Sequence, residues 1–194
     1  MRSLQHDVEA ARRVHGGRHL CHGMVLGVRL ARLGCRLLGI DDPGSYRDLV
    51  VYTETDRCAA DAVSAVAGVT LGRRRLKWVD YGKFAATFVD LATERAVRVW
   101  ARPDVPHGRP DQDAEEVWRG FTDERLFYWQ WVHVEVPDCD RPGRPIEKVW
   151  CEDCGEEVRD SRHVGVEGRR LCRACAHGPY YEVLAAQSDE AGVA

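Results

Sequence analysis

Three side chains that commonly bind transition metals lie within four residues near the start of the chain. They are His19, Cys21 and His22. The apolar stretch Met24–Leu38 predicts a helix directly after them, so Cys21 lies at or just before a helix N-terminus. Unpaired backbone N–H groups and the helix dipole favour a thiolate at this position. A thiolate beside imidazoles indicates a metal site or a nucleophile, and the alternative is a buried structural cysteine beside two surface histidines.

A second cysteine, Cys58, has the same local setting as Cys21. It follows a short apolar strand, and the alanine-rich sequence after it predicts a helix over Cys58–Ala67. Thr55 or Asp56 is expected to be the N-cap of that helix. Two cysteines at helix N-termini suggest one shared pocket, in which both bind metal or one thiolate attacks a substrate.

Two charged side chains are further candidates for catalysis. Asp61 lies on the first turn of the Cys58 helix, where it is either a catalytic carboxylate or an acidic residue that interacts favourably with the helix dipole. Lys83 lies in a predicted loop after Asp80. Its cation would hold an anionic ligand or favour ionisation of a thiol, and the alternative is a solvated charge in a turn.

Four further cysteines form two pairs with the spacing of a zinc site. They are Cys151, Cys154, Cys172 and Cys175, and 17 residues separate the two CxxC pairs. Four thiolates complete a tetrahedral zinc ion and leave no open position, so the predicted role is structural. A redox CxxC is the alternative, although such motifs occur singly. The flanking charges are mixed, so contact with protein is at least as well supported as contact with nucleic acid.

Composition bounds the class of protein. Hydrophobic residues make up 44% of the 194 residues and charged residues 30%, which is typical of a soluble globular protein. The net charge of −3 argues against a general nucleic-acid binder. No apolar run is long enough to cross a membrane, and the N-terminus lacks the apolar core of a signal peptide. We therefore expect a cytoplasmic protein, in which eight cysteines indicate metal or reactive thiols rather than disulfides.

The predicted elements combine helices with strands of an antiparallel sheet, and the four-cysteine site follows them. Residues 76–80, 84–91 and 96–101 are predicted to form an antiparallel meander. The other predicted elements are helices at 4–14, 24–38, 58–67 and 112–121, strands at 49–53 and 126–136, and a hairpin at 164–171. The predicted organisation is a core domain over 1–145, a zinc finger over 146–181 and a flexible tail over 182–194.

With these residues in place, the sequence resembles the FmdE family of formylmethanofuran dehydrogenase proteins from about Gly17 to Tyr181. The family motif H-G-H-x-C-x-G corresponds to Gly17–Gly23, and C-x-x-D-A is present as Cys58–Ala62. The motif T-G-C-T-x-G corresponds to Ala67–Gly72, and D-Y-G-K-x-A-x-T-F is present without a gap as Asp80–Phe88. The spacing of the C-terminal cysteines also matches the family.

The sequence departs from the family motifs at positions that matter for metal binding. Gly17 and Arg18 stand where the family tends to have His-Gly, so one ligand of the motif is missing. Val69 replaces the cysteine of the third motif, and His22 replaces a residue that is usually proline. We expect a ligand set that differs from the typical member, in which His22 or His15 replaces the missing histidine.

The resemblance implies an α+β core, in which helices pack on an antiparallel sheet, followed by a small zinc-finger lobe with four cysteine ligands. It also implies that the core forms a homodimer and has a cavity, lined by the His/Cys motif, in which a second transition metal binds. The candidate ligands are His19, Cys21 and Cys58, with His22 as a fourth. We expect a metal-dependent or thiol-dependent enzyme acting on a small molecule. The alternatives are an accessory protein that delivers metal or sulfur to a partner enzyme, and a regulatory module that binds through its zinc finger.

Overall fold

The helix α2, His22–Leu37, is the element around which the first part of the chain packs. It contacts α1 (Leu4–Val14), α3 (Cys58–Ala67), α4 (Ala114–Arg119) and two central strands of a sheet. Apart from its two ends and Arg29 and Arg32, nearly all of its side chains are buried. The computed structural model describes residues 1–17, 20–105, 108 and 112–184, so most of the predicted tail lies outside the described residues.

A five-stranded sheet forms the other layer of this core. Its spatial order is β2-β1-β3-β4-β5, and all neighbouring pairs are antiparallel except β1 and β2, which are parallel. A short helix α5, Asp123–Leu126, leads into the last strand. The predicted α+β class is confirmed. The strands are β1 (Leu49–Thr53), β2 (Leu76–Trp78), β3 (Ala85–Asp90), β4 (Arg95–Ala101) and β5 (Phe127–Val132).

The predicted meander is wrong at its first strand. β2 pairs with β1 in parallel and not with β3, so β1, α3 and β2 form a strand–helix–strand unit. The buried Arg75 guanidinium holds the start of β2 in this position, because it donates to the carbonyl oxygens of Tyr46 and Gly68 at 2.7 Å each. Parallel strands need a crossover connection, and α3 supplies it here.

The N-terminus of α3 also differs from the prediction. Arg57 is the N-cap, and its side chain makes no capping hydrogen bond. The Thr55 hydroxyl instead accepts the Arg57 N–H at 3.2 Å, just before the helix begins. Neither Thr55 nor Asp56 caps α3, so the Asp56 carboxylate remains available for another partner.

The close approach of α2 and α3 depends on a glycine. A Cβ atom at Gly27 would lie 2.8 Å from the Ala59 Cα and 2.9 Å from the Ala62 Cβ. Contacts shorter than 3.0 Å are essentially never observed for real Cβ atoms. Gly27 therefore lets the two helix backbones pack close together, and this fixes the separation of the residues at their N-termini.

The residues from Gly143 onward form a second unit, separate from Met1–Pro142. Its described residues form two short antiparallel ribbons and one short helix. Its apolar interior is small, since only Val149, Cys151 and Leu171 are buried among its described residues. The elements are β6 (Lys148–Trp150), β7 (Glu157–Arg159), β8 (Val164–Val166), β9 (Arg169–Leu171) and α6 (Arg173–His177).

Candidate metal centre

Cys21 is the N-cap residue of α2. Its backbone is extended, and its thiol sulfur accepts the backbone N–H of Met24 at 3.3 Å. The side chain is therefore directed over the first turn of the helix, where unpaired N–H groups favour negative charge. This is the position that the sequence predicts for Cys21.

Cys58 is the first residue of α3, and the packing of α3 on α2 brings it beside Cys21. The sulfurs of the two residues lie within 4.8 Å of each other. A Cβ at Gly23, in the first turn of α2, would lie 3.7 Å from the Cys58 sulfur. The structure thus places the two predicted cysteines in one site.

His15 is the third member of this site. It is the C-cap residue of α1, and one ring nitrogen of His15 and the sulfurs of Cys21 and Cys58 all lie within 4.8 Å of one another. Two sulfurs bound to one tetrahedral zinc ion at about 2.3 Å lie about 3.8 Å apart. The donor atoms and their spacing therefore fit a bound zinc ion after small side-chain shifts. We call these three residues the core cluster.

Asp61 orients the histidine of the core cluster. Its Oδ2 lies 2.7 Å from the His15 Nδ1, and it is one helical turn after Cys58 on α3. When Nδ1 donates its proton to this carboxylate, the lone pair of the neutral ring is on Nε2. Histidines that bind metals are typically held by a carboxylate in this way.

The electrostatic setting of Cys58 differs from that expected at a helix N-terminus. Burial raises the pKa of the Cys58 thiol, and the hydrogen bond and charge of Cys21 raise it further. A hydrogen bond from the backbone N–H of Cys58 lowers the pKa, but by less than burial and Cys21 raise it. Two thiols that share one site cannot both ionise easily unless a cation binds between them.

The other predicted site residues lie elsewhere. The His22 ring faces Trp118, with ring centroids 6.0 Å apart, and its atoms are not part of the core cluster. Lys83 is exposed, and its Nζ lies 5.4 Å from the centroid of the Tyr81 ring. His19 lies outside the described residues. Sequence reasoning named His15 only as a replacement ligand, since it precedes the family motif.

The four C-terminal cysteines form a second group. Their four sulfurs all lie within 4.8 Å of one another, and those of Cys154 and Cys172 are 4.0 Å apart. Backbone N–H groups of Cys154 and Cys172 donate to Cys151 and lower the pKa of its thiol to about 6. Gly155 has the positive φ of 75° that the turn after the first pair requires. The remaining donor, Cys175, completes a tetrahedral set.

An α+β core that gathers histidine and cysteine donors, together with a separate four-cysteine lobe, defines a metal-binding protein with a zinc finger. The chain belongs to the FmdE family. The family described as "FmdE, Molybdenum formylmethanofuran dehydrogenase operon" matches residues 14–126, which is more than half of the chain. Residues 143–181 match the prokaryotic dksA/traR C4-type zinc finger, so the four cysteines of the lobe indicate a structural zinc ion. The resemblance identified from the motifs is confirmed.

The chain is similar to proteins of known sequence and to proteins of known structure. A probable S-adenosyl-L-methionine-binding protein of Archaeoglobus fulgidus is 29% identical over 201 residues, which cover 90% of this chain and 53% of that protein. The chain thus spans about half the length of this curated relative. The crystal structure of a tungsten formylmethanofuran dehydrogenase FmdE-like protein from Syntrophus aciditrophicus has a TM-score of 0.59 at 21% identity. It covers 93% of this chain and 96% of its own, and it supports the fold.

None of the helices in the described part of the chain is both long enough and apolar enough to span a bilayer.

Proposed function

We propose that His15, Cys21 and Cys58 hold a transition metal ion, with zinc as the best match, at the centre of an enzyme that acts on a small molecule. The observation that carries this proposal is the separation of their ligand atoms, all below 4.8 Å. One nitrogen and two sulfur donors are a ligand set that zinc commonly takes in catalytic sites. Membership of the FmdE family supports the same assignment.

Three protein ligands leave one position of a tetrahedral site open. A bound ion of this kind supplies a Lewis acid and lowers the pKa of a water molecule in the open position. The chain contributes the rest of the centre. Asp61 fixes the ring orientation of His15, and the packing at Gly27 fixes the distance between the two cysteines.

A thiol-dependent reaction uses the same residues in different roles. One of the two thiols would then be the nucleophile and His15 its base, with the Asp61 carboxylate orienting the His15 ring. The structure favours metal binding, because it places two thiols in the site where a nucleophilic mechanism needs one. The raised pKa of Cys58 also opposes a free thiolate at neutral pH.

Metal delivery to a partner enzyme is the second candidate. The observation in its favour is exposure, since the His15 side chain is 33% accessible at the edge of the core cluster. A ligand at the surface eases transfer of the ion to another protein. A delivery protein would lose its core metal to a chelator within minutes, whereas a catalytic centre would retain it for hours.

The metal content of purified protein, measured by mass spectrometry, tests the proposal. We expect two ions per chain in the wild type and one in Cys58→Ser. The double variant Cys151→Ser/Cys154→Ser should also hold one, at the core cluster. Cys139→Ser removes a thiol outside both groups and serves as the matched control with two ions. A wild type with one ion, lost entirely in the double variant, would show that the core cluster holds no metal.

Cobalt substitution tests the open position. Co²⁺ bound to two thiolates absorbs in the near ultraviolet, and its visible bands change when an exogenous anion enters the coordination sphere. We expect azide to perturb the visible spectrum of the core-bound cobalt in the Cys151→Ser/Cys154→Ser variant. An unchanged spectrum at saturating azide would argue for a closed site and against the enzyme.

A further inference from the structure

A cavity of about 500 Å³ adjoins the core cluster. It lies between α3, the ends of β1 and β2, and the turn that follows α3. Its size is typical of sites for small molecules. Asp61 belongs to both places, because its carboxylate contacts His15 and also lines the cavity. A molecule in the cavity is therefore next to the residue that orients the candidate metal ligand.

The ionisable side chains that line the cavity are both acidic. They are Asp56 and Asp61, and no lysine, arginine or histidine lines it among the described residues. Asp61 is engaged by His15 at 2.7 Å. Asp56 does not cap α3, and within the described part of the chain its carboxylate has no hydrogen bond or ion pair. Asp56 is exposed, so the cavity presents one solvent-facing carboxylate that has no charged partner among the described residues.

The uncharged residues of the wall suit a molecule that has a cationic group with alkyl substituents and also a polar substituent. The Thr55 side chain is buried, with the residue 6% exposed, and its oxygen accepts the Arg57 N–H, so the hydroxyl proton is available to a ligand. The Trp78 indole also lines the cavity, although the residue is 53% exposed in the chain. The indole and the Asp56 carboxylate line the same cavity, and proteins bind organic ammonium groups against an aromatic face.

We propose that this cavity binds a small organic cation of the alkylammonium class, with Asp56 as its counter-ion and Trp78 against its cationic group. Thr55 supplies a hydrogen bond to a polar substituent of the same molecule. Assignment of this cation as the substrate of the core cluster rests on the proposed function, whereas the binding site itself does not. The shared residue Asp61 is the physical link between the two.

Choline and its uncharged isostere 3,3-dimethyl-1-butanol distinguish charge recognition from shape. The two molecules differ mainly in the replacement of the quaternary nitrogen by carbon. We expect isothermal titration calorimetry of the full chain to show binding of choline and at least about tenfold weaker binding of the alcohol. Equal affinities, or no binding of choline, would overturn the proposal.

Two variants locate the site, and each has a matched control. Asp56→Asn should weaken choline binding by about fivefold, and Trp78→Leu by about threefold or more. Asp41→Asn removes an exposed carboxylate outside the cavity, and Trp150→Leu removes a tryptophan of similar exposure, 60%, from β6. Both controls should retain wild-type affinity. Retention of wild-type affinity by Asp56→Asn and Trp78→Leu would contradict the assignment.

Metal content measured on the same samples separates this inference from the proposed function. Asp56 and Trp78 are not ligands, so their variants should keep the core metal. Loss of choline binding with the metal retained supports the cation site. Choline binding by wild-type protein whose core cluster holds no metal would leave the cation site in place and refute the metal centre.

Discussion

Asp61 links the histidine of the core cluster to the adjoining cavity, so its substitution should affect metal binding in a defined way. Asp61→Asn keeps the size of the side chain but removes the charge that holds His15 Nδ1 at 2.7 Å. Loss of such an orienting carboxylate typically lowers metal affinity by about 10- to 100-fold. Competition with a chromogenic chelator measures this change.

The neighbouring carboxylate Asp56 provides the control for that experiment. It lines the same cavity but does not contact His15. Asp56→Asn should therefore leave metal affinity unchanged while it weakens choline binding. If both variants lowered metal affinity equally, the cause would be the loss of one negative charge near the site. The specific role of Asp61 would then be refuted.

A buried carboxylate, Asp90, should make stability depend on pH. Burial would raise its pKa, but hydrogen bonds from Thr93, Tyr46 and the Ala92 N–H lower it overall. Its unfolded pKa is about 3.9, so its stabilising effect is present above that value and is lost as the pH falls through the lower folded value. We expect Asp90→Asn to lower the free energy of unfolding at neutral pH by about 1–3 kcal/mol.

Urea unfolding across a pH series measures the contribution of Asp90. The difference between wild type and Asp90→Asn should shrink below the unfolded pKa, because protonation then removes the same charge in the wild type. Asp41→Asn, at an exposed turn, should show no such convergence. A difference that stays constant down to strongly acidic pH would exclude the ionised carboxylate as its source.

At the residue scale, the sequence was sufficient to place Cys21 and Cys58 at helix N-termini, because local apolar patterns determine where these helices begin. It was not sufficient to select His15 over His22. His15 lies just before the motif and His22 lies within it. Which of the two joins the cysteines depends on which sides of α1 and α2 face α3. That is a property of packing between helices, and no local signal in the sequence reports it.

At the scale of elements, the contact between α2 and α3 sets the geometry of the core cluster. A Cβ at Gly27 would lie 2.8 Å from the Ala59 backbone, so Gly27→Ala must push the two helices apart. We expect overpacking to cost about 1–3 kcal/mol, partly offset by about 1 kcal/mol of gained helix propensity. Metal affinity should fall as well, because the separation of Cys21 from Cys58 changes.

Gly23→Ala is the matched control within the same helix. A Cβ at Gly23 would contact the Cys58 sulfur at 3.7 Å, an ordinary van der Waals distance. Thermal unfolding of the metal-free proteins should show a lower midpoint for Gly27→Ala only. An equal change in both variants would assign the effect to helix propensity and not to helix contact.

The strand–helix–strand unit shows why the sheet was only partly predicted. The bounds of β1 and α3 follow from local patterns and agree with the structure. The pairing partner of β2 does not follow from local patterns. The strand has only three residues of mixed exposure, and they show no alternation that would indicate a parallel or antiparallel partner. Its parallel pairing depends on Arg75, whose bonds to Tyr46 and Gly68 join segments that are distant in sequence.

At the scale of the whole molecule, the homodimer expected from the family stays a prediction. β5 is the last strand of the described sheet, and its Trp131 is 52% exposed. Edge strands with exposed aromatic side chains are suited to pairing with a second copy. We expect sedimentation velocity to give twice the 21.9 kDa mass of the chain.

Charge placed on β5 tests this interface. Trp131→Glu should yield the monomer, because like charges would face each other across a symmetric pair of strands. Trp150→Glu places the same charge on an exposed tryptophan of β6 and should remain dimeric. A wild type that sediments as a monomer at all accessible concentrations would refute the dimer directly.

The two units of the chain should also differ in their dependence on metal. The second unit buries only Val149, Cys151 and Leu171 among its described residues, which is too little apolar surface to offset the entropy of folding. We therefore expect its folding to depend on a zinc ion bound by the four cysteines, as in other small zinc domains. The first unit has a large apolar core around α2 and does not depend on metal in this way.

Hydrogen exchange after treatment with a strong chelator measures this difference. Amides of the paired strands β6–β9 should exchange at the rates of an unfolded chain, while those of β3 and β4 remain protected. Addition of zinc should restore protection in the strands β6–β9. Protection of β6–β9 that survives complete removal of metal would mean that the lobe is stable without zinc, and its four cysteines would then need a role other than structural.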